Sequence, residues 1–245
     1  MDLGLDGKKV LITGGSSGIG REIVRAFMAE GANVSFTYYS NADDAQALCD
    51  EYGDADRIRS FRMDMRNEKA MSNALAEIID VAGPPDILVN NAVVWGDQAR
   101  ADGLEDWQAM LRANLEGYFR CSQSVLPHMK ANGWGRIVSM SSTLVEEGMQ
   151  GVAAYAAAKS GLQGMTKGLA WDGGEYGVLA NVVLAGLTLT ERAQSRIPKP
   201  VRESVRERTS SQRLTRPEDV ADLVVFLASE RNGNISGQSI RIAGG

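Results

Sequence analysis

The sequence of 245 residues contains one histidine, His128, and that scarcity narrows its chemistry before any motif is considered. Imidazole-based triads and sites with several histidine ligands are excluded, so an acid or base must come from another side chain. His128 lies in SVLPHMKANG, near the expected C-terminal end of a helix, where a surface ring is ordinary. Cysteine is nearly as scarce. Cys49 and Cys121 stand far apart without metal-type spacing, which predicts two reduced thiols and no metal site.

Long apolar runs are absent too. Nothing reaches the roughly 18 residues of a membrane span, and the opening MDLGLDGKKVLITGG lacks a signal-peptide pattern. With the reduced thiols, this predicts a soluble cytoplasmic protein. The net charge of −5 provides no basic excess, so neither nucleic acid nor a membrane is an expected partner. No Pro/Gly/Ser-rich linker, repeat or low-complexity tract marks a seam, and one domain over residues 1–245 is expected.

The hydrophobic residues, 44% of the chain, gather into short β-rich runs at 8–13, 33–38, 57–64, 86–91, 135–141, 179–185 and 238–243. Helical patterns separate them. In GREIVRAFMAEG, Ile23, Phe27 and Met28 form one apolar face before Gly31; in PEDVADLVVFLAS, Pro217 opens a helix whose first turn carries Glu218 and Asp219. Alternation of helices with nearly continuous apolar strands predicts an α/β doubly wound fold, a Rossmann-type parallel sheet of about seven strands with helices on both faces. The least regular stretch, 187–215, is too long for a plain connection and is expected to form a lid.

Two segments carry chemistry. TGGSSGIG at 13–20 runs from the first strand into a helix, with Gly14, Gly18 and Gly20 spaced G-x-x-x-G-x-G. Glycines allow close backbone approach to a pyrophosphate, and the following helix N-terminus offers free N–H groups and a positive dipole. AYAAAK at 154–159 places Tyr155 and Lys159 one helical turn apart on one face, separated only by alanines. A phenol has an unperturbed pKa of about 10, and a neighbouring ammonium favours its anion. Alone, such a pair is more often a lysine snorkelling beside an aromatic ring, and Ser142 reads as a turn former at a strand end.

Taken together, TGGSSGIG, NNA at 90–92, Asn114, Ser142, Tyr155 and Lys159 resemble the short-chain dehydrogenase/reductase family over essentially the whole chain, in particular its 3-oxoacyl reductase-like and polyketide ketoreductase-like members. The resemblance implies a catalytic set in which Tyr155 donates the proton and Lys159 lowers its pKa and grips the nicotinamide ribose. In that set Ser142 orients the carbonyl and Asn114 holds a water that resupplies protons. It implies that Gly14, Ser16, Ser17, Gly18, Ile19 and Gly20 line the pyrophosphate and ribose. Asp64 and Met65 would meet the adenine, Asn90 and Ala92 the riboses, and Thr188 and Thr190 the carboxamide and phosphate. It also implies a homotetramer paired through the helices bearing Asn114 and Tyr155.

NAD-binding chains commonly carry an acid roughly 20 residues past the glycine loop to hold the ribose 2′-hydroxyl. Here Tyr38, Ser40 and Asn41 occupy the end of the second strand, and the first acids are Asp43 and Asp44. No lysine or arginine stands nearby in sequence. The missing carboxylate favours NADP(H) over NAD(H). Three positions depart from the family pattern: Val93 for a glycine after NNA, Ala185 for a proline, and Leu179 for an arginine. Val93 is expected to narrow the space beside the nicotinamide or substrate, and Ala185 to loosen the turn that starts the lid.

The substrate pocket is expected from Val94, Trp95, Leu144, Met149 and Leu187, an apolar set fit for an aromatic, polyketide-like or 3-oxoacyl carbonyl compound, free or carrier-bound. Glu146 and Glu147 read as a contact for a polar substituent or as solvated. The lid's Arg192, Arg196, Lys199, Arg202, Arg206 and Arg208 read as attractors of an acidic substrate or carrier, or as a solvated face. The activity expected is NADPH-dependent reduction of a ketone. The alternatives are NAD-dependent alcohol oxidation and a nucleotide-binding regulator without catalysis.

Overall fold

Each strand is apolar at successive positions because alternate side chains enter different helical layers. In β1 (Lys9–Ile12), Val10 and Ile12 join one core cluster while Leu11 joins the other. The computed structural model describes residues 1–95 and 104–245. The remaining strands are β2 (Asn33–Tyr38), β3 (Ile58–Arg62), β4 (Ile87–Asn90), β5 (Gly135–Ser142), β6 (Val178–Ala185) and β7 (Ser239–Ile242). All pair in parallel in the order β3-β2-β1-β4-β5-β6-β7.

One layer holds α1 (Gly18–Ala29), α2 (Ala42–Tyr52) and α10 (Pro217–Ala228); the other holds α3 (Glu68–Ala82), α5 (Gly117–Asn132) and α7 (Ala153–Gly174). Shorter helices are α4 (Leu104–Leu111), α6 (Leu144–Glu147), α8 (Glu191–Arg196) and α9 (Lys199–Glu207). Each buried valine, leucine or isoleucine in these layers contributes about 1.5–3 kcal/mol relative to exposure. No helix among the described residues is long and apolar enough to cross a membrane.

After β3 the chain returns to the far side of β1. The connections leaving the adjacent strands β1 and β4 therefore run in opposite directions, the arrangement that forms a crevice at their C-terminal ends. The ends of β5 and β6 lie along the same edge. Two expectations need correction. The stretch 187–215, expected to be the least regular, contains α8 and α9 and is tied down by a bridge between Thr188 and Thr215. Asn114, expected on a helix, is not part of a regular α-helix. It sits in a five-residue π-helical joint, Arg112–Glu116, between α4 and α5. Such joints widen the turn and leave backbone carbonyls without their usual helical partners.

Arg136, at the start of β5, shows how the bottom of the fold is fastened. It is only 5% exposed, and its guanidinium donates to the carbonyls of Gly135, Gly177, Ser229 and Asn232 at 2.9–3.4 Å. It also stacks 4.5 Å from the Trp134 ring. Replacing Arg136 by Met strands these buried acceptors, and we expect a loss of about 3 kcal/mol in urea unfolding. A loss under about 0.5 kcal/mol, the range of an ordinary surface change, would show that water or neighbouring groups satisfy those carbonyls instead.

Candidate active site

The glycine loop is folded so tightly that side chains are excluded. A Cβ on Gly20 would lie 2.1 Å from the Gly14 carbonyl oxygen and 2.6 Å from Asn91 Nδ2. Gly14, at φ +68°, would place a Cβ 2.8 Å from Ala92 Cα. Thr13 holds the two sides together, its Oγ1 accepting the amides of Asn91 and Ala92 at 2.9 Å each. Gly18 has φ +55° and faces Thr190 of the lid.

Ser17 precedes α1 without capping it, and the first turn of α1 contains no acid. The N-terminal amides and helix dipole are therefore available to an anion. A backbone cradle that a Cβ would fill, opening onto a helix N-terminus, fits a dinucleotide pyrophosphate. Ser16 and Ile19 lie within this loop. The Ser16 carbonyl accepts Arg21 Nε at 3.1 Å and Nη2 at 3.0 Å, which fixes its plane.

Tyr155, on α7, lies beside Ser142 at the end of β5 and is 7% exposed. The edge of its ring meets Trp95 with centroids 4.3 Å apart at 81°. Burial pushes its phenol up to about 12, and a hydrogen bond involving Ser142 pulls the other way. Lys159 is 2% exposed, and burial pushes its ammonium down to about 7. The expectation that Lys159 lowers the Tyr155 pKa therefore does not describe this geometry. Lys159 Nζ stands 6.0 Å from the Tyr155 ring and donates to the Met140 carbonyl at 2.8 Å and the Tyr118 hydroxyl at 2.9 Å. Desolvation outweighs the Ser142 hydrogen bond, so the phenol holds its proton.

Other expected residues fall in less simple places. Asn90 is fully buried, and its Nδ2 donates to Ser122 Oγ at 3.2 Å and Ser139 Oγ at 3.3 Å. Its side-chain amide braces β4 against α5 and β5. The Asn114 side chain is similarly spent. Its Oδ1 accepts the Val94 amide at 3.1 Å, and its Nδ2 donates to the Val94 and Met110 carbonyls at 3.1 and 3.2 Å. Any water held at this residue must use its backbone.

Asp64 lies just past β3, and both its oxygens take Arg66, at 2.9 and 3.1 Å; this pairing holds its carboxyl below the usual range. Met65 is buried beside it. Thr188 donates to the Gly186 carbonyl, and Thr190 Oγ1 caps α8 by accepting the Ala193 amide at 3.1 Å.

Around the mouth, Trp95 and Leu144 pack with Tyr155, Val94 is held by Asn114, Leu187 is half-buried, and Met149 is exposed. Val93 is 45% exposed, standing at the rim instead of filling the interior. Ala185 does not loosen a turn: it ends β6 opposite Ser142, and its carbonyl accepts the Thr143 amide at 3.1 Å. Glu146 and Glu147 are bound by Arg241 of β7, which takes them away from any substrate. Arg192 donates to the Trp95 carbonyl at 3.0 Å and so latches lid to rim.

The sequence reading also missed charge near Tyr38. Parallel pairing sets Tyr38 opposite Arg62, whose Nε donates to the Tyr39 carbonyl at 3.4 Å, while Arg66 stacks 4.4 Å from the Tyr39 ring. These arginines are distant in sequence and reach the end of β2 only through sheet register. Among the described residues no cluster of acids, cysteines or histidine could hold a metal.

The family model described as enoyl-(acyl carrier protein) reductase matches residues 14–245. The chain is 36% identical to the acetoacetyl-CoA reductase of Shinella zoogloeoides over 96% of each chain. The chain belongs to the short-chain dehydrogenase/reductase family. It is thus an NAD(P)-dependent oxidoreductase acting between carbonyl and alcohol. The fold matches a short-chain dehydrogenase/reductase from Serratia marcescens with a TM-score of 0.88 and 34% identity, covering 98% of each chain. It matches 7α-hydroxysteroid dehydrogenase solved with NADH and 7-oxo glycochenodeoxycholic acid with a TM-score of 0.92 and 32% identity, covering 100% of this chain and 96% of that one.

Proposed function

We propose that this protein reduces a ketone to a secondary alcohol with NADPH, using Tyr155 as proton donor. The observation that carries the reading is a buried, protonated Tyr155 phenol beside Ser142, with the buried Lys159 ammonium on the same helix face and the glycine cradle at the neighbouring strand ends. The bound nicotinamide supplies the hydride. Ser142 and Tyr155 hydrogen-bond the carbonyl oxygen and orient it. Tyr155 then passes its proton to the oxygen as that atom gains charge, and Lys159 stabilises the phenolate left behind. The pyrophosphate would be held by Gly14, Ser16, Ser17, Gly18, Ile19 and Gly20, with Thr188 and Thr190 closing from the lid.

Two observations support NADPH. No acid ends β2, and Arg62 brings a guanidinium to Tyr38 and Tyr39 at the end of that strand, next to the stretch where a 2′-phosphate would lie. We expect Arg62→Gln to weaken NADPH binding by about 1 kcal/mol, roughly fivefold, and to leave NADH binding unchanged. Equal losses for the two nucleotides in a fluorescence titration would place Arg62 elsewhere. The NADH held by the hydroxysteroid dehydrogenase favours a second reading, NAD-dependent alcohol oxidation. Comparing kcat/KM for NADPH and NADH decides between them.

The substrate proposed is an apolar or 3-oxoacyl ketone, free or on a carrier. Trp95, Leu144 and Leu187 provide apolar walls, and the relatives named above act on acetoacetyl-CoA and bind a 7-oxo steroid. Turnover across 3-oxoacyl thioesters, 2-enoyl thioesters, polycyclic ketones and quinones tests this; reduction of the enoyl compounds alone would contradict it. The reading includes a homotetramer. A groove of about 650 Å³ lined by Leu111, Leu115, Phe119, Gly161 and Met165 supports pairing through the helices that carry the site.

A further inference from the structure

Lys159 is a buried cation without a carboxylate partner among the described residues. An ammonium has three N–H donors. Two are spent within the protein, on the Met140 carbonyl at 2.8 Å and on Tyr118 Oη at 2.9 Å. The Met140 carbonyl belongs to the β5 backbone and is fixed by the sheet. Tyr118 is a side chain of α5, one helical turn past Asn114, with no exposed surface. Its ring face also lies 4.4 Å from Nζ, within the range of a cation–π contact.

We infer that Tyr118 is a positioning residue for catalysis, its hydroxyl holding the Lys159 ammonium in place and leaving one N–H for Tyr155 or the nucleotide sugar. This inference rests on the proposed roles of Tyr155 and Lys159.

The groups facing Nζ make the hydroxyl consequential. On α7 the titratable neighbour is Tyr155; on α5 it is Tyr118, which has Cys121 beside it. From β5 comes the Met140 carbonyl, while the side-chain amide of Asn114 in the π-helical joint is spent on Val94 and Met110. Burial raises the thiol of Cys121 to about 12 and the phenol of Tyr118 well above its ordinary value, so both stay neutral. Dipoles alone therefore support the ammonium, and Tyr118 supplies one of the two that hydrogen-bond it.

A phenol accepts from the ammonium and can donate to the neutral amine, so it holds Lys159 in both protonation states. The bond to the charged form is the stronger. A phenylalanine keeps the ring and offers neither bond. Losing an acceptor that favours the charged form lowers the pKa of a base.

The test titrates Lys159 by NMR of 13Cε-labelled lysine in the full chain, with its signal assigned by its loss in Lys159→Met. In Tyr118→Phe the Lys159 midpoint should move downwards by about one pH unit. The alkaline limb of kcat/KM for ketone reduction should move with it, while activity persists at lower pH. An unchanged midpoint in the folded variant overturns the inference, whatever happens to thermal stability. If the phenylalanine variant does not fold, Tyr118→Met fills the space without a hydroxyl and is read the same way. Failure of the parent to reduce any ketone would count against the proposed function, yet the NMR titration would still decide the role of Tyr118.

Discussion

Tyr155→Phe should lower kcat for ketone reduction by about a thousandfold, within the range of a lost general acid, while NADPH binding changes less than twofold. The ring stays, so its edge contact with Trp95 and its place in the small cluster with Met110, Val152, Ala154 and Ala158 are preserved. Only the proton donor is lost. Stopped-flow turnover alongside a nucleotide titration separates the two effects, and near-normal turnover would refute the mechanism.

The parent's pH profile has a direction that follows from burial. Tyr155, pushed up to about 12, remains protonated across the neutral range. Lys159, pushed down to about 7, loses charge as the pH rises through that value. A neutral lysine cannot stabilise the phenolate, so reduction should slow on the alkaline side. The reverse reaction needs the phenolate as base and should gain there.

Gly20→Ala should weaken dinucleotide binding by about a hundredfold, the equivalent of roughly 3 kcal/mol of backbone conflict. Its Cβ would lie 2.1 Å from the Gly14 carbonyl and 2.6 Å from Asn91 Nδ2, and neither atom belongs to a flexible chain end free to retreat. The Asn91 amide is itself fixed by the carbonyls of Thr13 and Gly14, each at 3.0 Å. The loop must open, and the cradle opens with it. Gly164→Ala on α7 is the control, because a Cβ there meets nothing within 4 Å. Alanine is the better helix former by about 1 kcal/mol, so the control should bind normally and melt no lower. Normal NADPH affinity in Gly20→Ala would show that the loop does not bind the pyrophosphate.

The parts legible in the sequence were those with local causes. Every strand lies within one residue of its apolar run or inside it, because two-sided burial writes itself into consecutive residues. Pro217 opens α10 as expected, and the Tyr155 to Lys159 spacing places both side chains on one buried face of α7. The misses arise from long-range geometry. Arg62 reaches the end of β2 only through strand register, and Arg241 takes Glu146 and Glu147 from a strand almost a hundred residues later.

For Asn90 and Asn114 the family resemblance implies ligand and water contacts. The Asn114 side chain is instead consumed internally on both sides, and Asn90 Nδ2 is taken by Ser122 and Ser139. Tyr118 had a local clue, one turn beyond Asn114, but only the packing of α5 against α7 reveals what its hydroxyl touches.

The most direct test of the central claim is isotopic. With NADPH deuterated at the transferable position and a 3-oxoacyl thioester as substrate, the account predicts a secondary alcohol with one deuterium on the carbinol carbon. Tyr155→Phe should form almost none. Consumption of neither NADPH nor NADH with any ketone, or deuterium found only in a saturated acyl chain from an enoyl thioester, would contradict it.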